Sequence, residues 1–216
     1  DGMGSGAVTR DLADLGEAWR EHADTTPREL AAAIRAVVHA TEVRRDRESV
    51  ELVWTGPPTP SVPVRHTAQV LGGVIEGATD AVFVVSYAAY TLPGVVQRLN
   101  DAVRRGVRVS VLLEPGKEHG GHVDHDGVTA MRSAVTGAYA YVWDPDANES
   151  GASMHAKCVV ADGNTAFVTS ANLTDAAMER NMELGVLVKG GTVPDRLHRH
   201  LDALVTTRVV KRIGGP

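Results

Sequence analysis

The sequence predicts an α/β protein: a mixed, mostly parallel sheet flanked by helices on both faces, with a small helical appendage at the N-terminus. Three observations carry this. From residue 50 onward, short apolar runs suited to buried strands alternate with segments of helical periodicity. Two of the runs, His155–Ala161 and Thr165–Thr169, are joined by Asp162-Gly163-Asn164, a strong hairpin signal. A length of 216 residues with 43% hydrophobic content supplies one substantial core. The expected division is an appendage over residues 1–48 and one main domain over 49–216.

In chain order, residues 1–10 are Gly-rich, lack the apolar core of a signal peptide, and stand outside the fold argument. Asp11 to His22 and Pro27 to Ala40 read as helices. Thr26-Pro27 offers a cap followed by proline in the first turn, and Leu30, Ile34, Val37 and Val38 recur at helical spacing. Val50 to Trp54 is a strand, and Gly56-Pro57-Pro58-Thr59-Pro60 breaks regular structure. Helices follow over Arg65–Gly77, Leu92–Arg105, Asp126–Val135 and Val193–Val205. Strands follow over Ala81–Ser86, Val107–Leu113, Tyr139–Trp143, the hairpin pair and Glu183–Val188.

Composition narrows the function classes. No stretch has the apolar length to span a bilayer. A single cysteine, Cys158, excludes an internal disulfide and fits a reducing cytoplasm. Basic residues number 22 and acidic residues 27, a net charge of −5, which argues against a large duplex footprint but says nothing of a local pocket. Arg44, Arg45 and Arg47 cluster, as do Arg98, Arg104, Arg105 and Arg108. Both groups read more readily as solvated helix ends than as a phosphate track.

The chemistry concentrates between Met154 and Val188. His155 and Lys157 are two apart, so on a strand they share a face. Ser170 and Asn172 share a face in the same way, and the hairpin folds them back toward the first pair. Glu183 opens a third apolar run beside them. This gathers a nucleophile or base, a fixed cation, two hydrogen-bonding groups and a carboxylate. Asp162 falls off the His–Lys face by parity, which favours a structural role at the turn. Cys158 points away from His155 and reads as a small core residue.

Outside that stretch, His119, His122, Asp124, His125 and Asp126 form a second cluster with metal-binding residue types. They lie in a Gly-rich loop that reads as surface rather than as a built metal site. Ser86, Tyr87 and Tyr90 follow a buried strand, where α/β sites collect, and with Trp54 are candidates for a groove wall.

His155, Lys157 and Asp162 match the H-x-K-x4-D motif of the phospholipase D superfamily. Ser170 and Asn172 match the serine and asparagine of its G-S-x-N segment, with Thr169 in place of the glycine. Together with Glu183, and with Trp54-Thr55-Gly56-Pro57 and Ser86-Tyr87, the stretch resembles the phospholipase D-like proteins of bacterial DISARM anti-phage systems. The resemblance runs from about Val50 to Val188. It implies a phosphodiesterase that needs no metal or other cofactor, with His155, Lys157, Asp162 and Glu183 as catalytic residues. Lys157, Ser170 and Asn172 become the substrate-binding set.

Cleavage needs a nucleophile, charge stabilisation at phosphorus and an acid for the leaving oxygen. One histidine cannot attack and protonate opposite sides of phosphorus at once. The chain holds the H-x-K pair once, so a symmetric homodimer sharing one site is the economical arrangement. Glu183 is expected to hold the second ring nitrogen of His155. The readings carried forward are a nuclease acting on DNA or RNA, a phospholipid or small phosphodiester hydrolase, and a nucleic-acid-binding defence subunit with little turnover. Other defence-system subunits are candidate partners. No basic amphipathic helix supports stable membrane association.

Overall fold

The computed structural model describes residues 13–22, 24–89, 92–117, 120–124, 126–143 and 152–214, with no side chains described for 41–47. The chain divides into two compact units, residues 1–46 and 47–216.

In the first unit, α1 covers residues 13–21. Helix α2 covers Pro27–Arg47 and so outruns the expected end at Ala40. The cap at its start is reciprocal. The Thr26 backbone N–H and hydroxyl both donate to Glu29 Oε2, at 2.9 and 2.7 Å, and the Glu29 N–H donates back to Thr26 Oγ1 at 3.3 Å.

The second unit is an eight-stranded sheet with helices on both faces. Its elements are β1 (Ser49–Thr55), α3 (Thr67–Gly77), β2 (Ala81–Ser86), α4 (Pro93–Arg104), β3 (Arg108–Leu113), α5 (Gly127–Ala134), β4 (Tyr139–Trp143), β5 (Cys158–Ala161), β6 (Thr165–Thr169), α6 (Asp175–Glu179), β7 (Glu183–Lys189), α7 (Thr192–Thr206) and β8 (Val210–Arg212). Strand order is β1-β7-β6-β5-β2-β3-β4-β8. Asp126 caps α5 by accepting from Thr129 N at 3.0 Å. Asp162 and Gly163 both take positive φ, 54° and 61°, as a type I′ turn requires, and close the β5–β6 hairpin.

The sheet corrects the expectation of a mostly parallel arrangement. Only β2–β3 and β3–β4 pair in parallel among the described strands. These are the strands joined by crossover helices α4 and α5. The remaining pairs, β1–β7, β7–β6, β6–β5, β5–β2 and β4–β8, are antiparallel. A strand buried on both faces reads as a continuous apolar run whichever way its neighbour points, so composition does not reveal direction.

Strand parity sorts the core into two layers. Val82, Val84, Val109, Val111, Val159, Phe167 and Leu187 pack with α3, α4 and α5. Phe83, Val85, Leu112, Tyr141, Val160 and Ala166 pack on the other face against Leu201 of α7. No helix among the described residues is long and apolar enough to cross a membrane.

Candidate active site

Register gathers the site at one end of the sheet. β1 pairs Thr55 with Glu183, β6 pairs Thr169 with Gly185, and Cys158 lies between Val85 and Val168. The ends of β1, β2 and β6 therefore meet the starts of β5 and β7. The close approach there needs glycine at 185, where a Cβ would stand 2.4 Å from the Phe167 ring and 3.0 Å from Val168 O.

His155 and Lys157 sit on the lead-in to β5, which begins at Cys158 rather than at His155. They still come together. Lys157 Nζ lies 3.0 Å from His155 Nδ1 and donates to His155 O at 2.7 Å. His155 is exposed, while Lys157 is 9% exposed. Burial pulls the Lys157 amine below its usual range, and the Glu183 charge opposes that pull. The ring of half-buried Tyr87 lies 4.7 Å from the His155 imidazole, centre to centre, and Lys157 Nζ stands 5.4 Å from the same ring's centre.

Glu183 meets different partners from those expected. Its carboxylate accepts from Ser170 Oγ and, at 3.2 Å, from Asn181 Nδ2, and among the described residues it makes no hydrogen bond to His155. The cause is topological: β6 lies between β5 and β7, and two strand spacings put roughly 10 Å between their backbones. Ser170 Oγ also accepts from Leu184 N at 3.1 Å, so the hydroxyl is clamped across β6 and β7. Asn172 turns toward β2, where its Oδ1 accepts from Ala88 N at 3.4 Å.

Asp162, placed with the catalytic set by the motif, is not brought to this end. It lies beyond the other end of β5, a strand that spans roughly 13 Å. Its carboxylate accepts from Thr79 N and Oγ1, Asp80 N and Ala81 N at 2.8–2.9 Å. Desolvation raises its pKa, but these four donors outweigh it and hold the carboxyl below its ordinary value.

An open groove of about 490 Å³ runs past the site. His155, Lys157, Thr169 and Ser170 form its polar side, and Cys158, Val168 and Leu197 its apolar side. Cys158 also packs on the α7 layer, and burial pushes its thiol up to about 11. A smaller cleft, about 270 Å³, lies beside Asp162. Both cations lining it, Arg65 and Lys189, are shared with Glu51 at 3.1 and 3.5 Å.

The remaining candidates disperse. Ser86 donates to Ala88 O at 2.7 Å and accepts from Leu173 N at 3.1 Å, which shapes the loop after β2 rather than the groove. Trp54 donates its indole N–H to Pro57 O at 3.2 Å on edge strand β1. Arg98 pairs with Glu76, Arg104 with Asp101 and Arg108 with Asp202, while Arg105 donates to the carbonyls of Ile75, Glu76 and Ala78 at the C-terminal end of α3, so all four guanidinium groups are engaged within the fold. The side chains of Arg44, Arg45 and Arg47 lie outside the described residues, as do Tyr90, His119 and His125. Of the remaining loop cluster, Asp124 pairs with Lys117 at 2.5 Å and Asp126 caps α5. Among the described residues no three His, Cys, Asp or Glu are arranged to hold a metal.

Two residues escaped the sequence reading. Asn181 is two before Glu183, and that spacing was the available signal. Glu114 follows β3 and is 4% exposed. Its Oε2 accepts from Met154 N at 2.9 Å, and its Oε1 lies 2.7 Å from His122 Nδ1. A carboxylate at the end of a buried parallel strand was the signal there.

Comparison with known proteins agrees with this geometry. A family model described as "Cardiolipin synthase, PLD-like domain" matches residues 72–205. The DISARM protein DrmC of Bacillus paralicheniformis is 28% identical over 148 residues, which cover 68% of this chain and 60% of that protein. Nuc of Salmonella typhimurium, a phospholipase D family member, superposes with a TM-score of 0.56 at 18% identity, covering 78% of this chain and 99% of Nuc. NucT of Helicobacter pylori gives 0.58 at 15% identity, covering 77% and 100%. These two structural likenesses speak to the fold. With the family model spanning residues 72–205 and the His155–Lys157 pair within that span, the chain belongs to the phospholipase D superfamily.

Proposed function

We propose that the chain is a metal-independent phosphodiesterase, a nuclease cutting DNA or RNA through a phosphohistidine, with its site shared across a homodimer. The observation that carries this reading is the exposed imidazole of His155 held beside the nearly buried ammonium of Lys157. An ammonium donating to Nδ1 leaves the ring proton on Nε2. An arriving phosphate takes the Lys157 donors for its nonbridging oxygens, which frees the imidazole to turn nucleophile. A nitrogen of His155 attacks phosphorus, the bond to the leaving oxygen breaks, and that oxygen takes a proton from the partner protomer's imidazolium. Water then gives its proton to the same imidazole and attacks phosphorus, and the P–N bond breaks. Asn172 supplies amide donors to phosphate, while the one hydroxyl proton of Ser170 goes to Glu183. Within its own protomer Glu183 acts by fixing Ser170 and by its charge on Lys157. The likeness to the DISARM protein DrmC supports a role in bacterial anti-phage defence, and the proposal sets that role in the cytoplasm alongside other subunits.

The test is degradation of labelled DNA and RNA by purified protein in EDTA, with mass in solution measured alongside. Hydrolysis lost in His155→Ala, by a protein of dimeric mass, is the expected result. Activity surviving that substitution, or full activity of a strict monomer, overturns the shared-histidine scheme. A second reading, a lipid phosphodiesterase, is favoured by exposed apolar side chains near the site: Val168 is 48%, Leu184 50% and Met182 66% exposed. Release of headgroup from phosphatidylglycerol vesicles, without nucleic-acid cleavage, selects it.

A further inference from the structure

Glu114 has no place in the chemistry above, yet it is a buried carboxylate one hydrogen bond from the nucleophile's backbone. Burying a carboxylate costs several kcal/mol unless donors surround it, so its two partners are informative. One is the N–H of Met154, itself 7% exposed and immediately before His155. The other is the imidazole of His122, whose side chain is 43% exposed. The His122 segment is folded on itself: Lys117 N donates to Val123 O at 2.9 Å, Gly121 N donates to Gly116 O at 3.1 Å, and Lys117 pairs with Asp124. Packing there is tight, since a Cβ on Gly121 would overlap Pro115 O. One carboxylate thus ties this loop to the segment that presents His155.

We propose that Glu114 is a positioning residue for His155 and that His122 completes the clamp, so that the segment over residues 120–124 sets the aim of the nucleophile. Residues 152–157 lie outside the strands, and the bond from Thr169 N to Lys157 O, at 3.1 Å, holds the segment two residues past the imidazole rather than at it. A charge-assisted bond to Met154 N fixes the imidazole from the β3 side, while Tyr87 packs on the ring from the β2 side. A carboxylate can serve Met154 N–H and His122 N–H together, because both of its oxygens accept. An amide keeps both contacts only if His122 moves its proton to Nε2, and it brings no charge to either bond. This role rests on His155 as the nucleophile.

The test compares wild type with Glu114→Gln, an isosteric change, and with His122→Gln, which leaves Glu114 intact. Turnover of bis(p-nitrophenyl) phosphate in EDTA and the NMR ring signals of His155 are measured for each. Glu114→Gln is expected to lower kcat about tenfold or more with KM within about twofold, and to shift or broaden the His155 ring signals. His122→Gln, able to donate one bond, gives a smaller loss in the same direction. Unchanged kcat and unchanged ring signals in Glu114→Gln overturn the proposal, and so does a loss of melting temperature alone. If wild type shows no His155-dependent turnover, the function reading falls. The ring signals then decide this inference: altered signals support it and identical ones overturn it.

Discussion

The two ends of β5 carry two halves of one sequence motif and are built in opposite ways. At the Asp162 end, one carboxylate receives four donors from Thr79, Asp80 and Ala81, and the turn beyond it closes the hairpin. Every acceptor direction is used, and nothing is left for a substrate. At the other end, His155 is exposed, Lys157 shares a single nitrogen with it, and Tyr87 is in ring contact. Capacity for hydrogen bonding is held open beside a groove. The contrast separates folding from chemistry within the motif: a saturated polar group holds strands together, and an unsaturated one at a strand end is available to react.

Substitutions at the two ends sharpen that contrast. The largest expected effect is on turnover: His155→Ala lowers kcat by roughly a thousandfold or more while shifting stability by less than about 0.5 kcal/mol, read by steady-state kinetics and urea unfolding. Asp162→Ala inverts the pattern. Stranding the donors around residues 79–81 costs about 2–3 kcal/mol, a melting temperature lower by roughly 5–10 °C, with kcat per folded molecule kept. A large kcat loss in a folded Asp162→Ala protein would dissolve the division of labour.

The pH dependence follows from the same carboxylate. Its folded pKa lies below its unfolded one, so the stability it contributes is full above the unfolded value, about 3.9, and is lost as pH falls toward and through the folded value. Asp162→Asn should flatten the acid limb of a stability–pH curve below about pH 5. An unchanged limb would remove Asp162 from the account.

Gly185→Ala bridges the two ends, since the added Cβ pushes on Phe167 in the core and on the β6–β7 ladder beside Ser170. It should cost about 1–3 kcal/mol in urea unfolding, and a neutral result would mean that Phe167 can move aside. The smallest effect is at Cys158. With its thiol pushed up to about 11, it should resist iodoacetamide at neutral pH until urea unfolds the chain. Rapid alkylation of native protein would contradict the burial.

Much of this was legible in the residues. Short apolar runs marked β2, β3, β5 and β6, and Asp162-Gly163 marked the hairpin. The period-two spacing brought His155 to Lys157 and placed Asp162 off their face. Strand direction was not legible, because β2 and β5 are buried on both faces and their pairing joins residues about 76 positions apart. Short elements such as α6 and β8 are stabilised by contacts distant in sequence and carry little periodicity of their own. Within one protomer the described residues show no Glu183–His155 bond for a similar reason: nothing local says that β6 stands between them. Glu114 was hidden because its partner Met154 lies 40 residues away.

The central claim is that His155 attacks phosphorus. The most direct measurement is peptide mass spectrometry after an alkaline quench during turnover of bis(p-nitrophenyl) phosphate, since a phosphohistidine survives base. The account predicts a p-nitrophenylphosphoryl adduct on the peptide containing His155 in wild type and none in His155→Ala. Turnover with no adduct on His155, or an adduct on another residue that persists in His155→Ala, would contradict it.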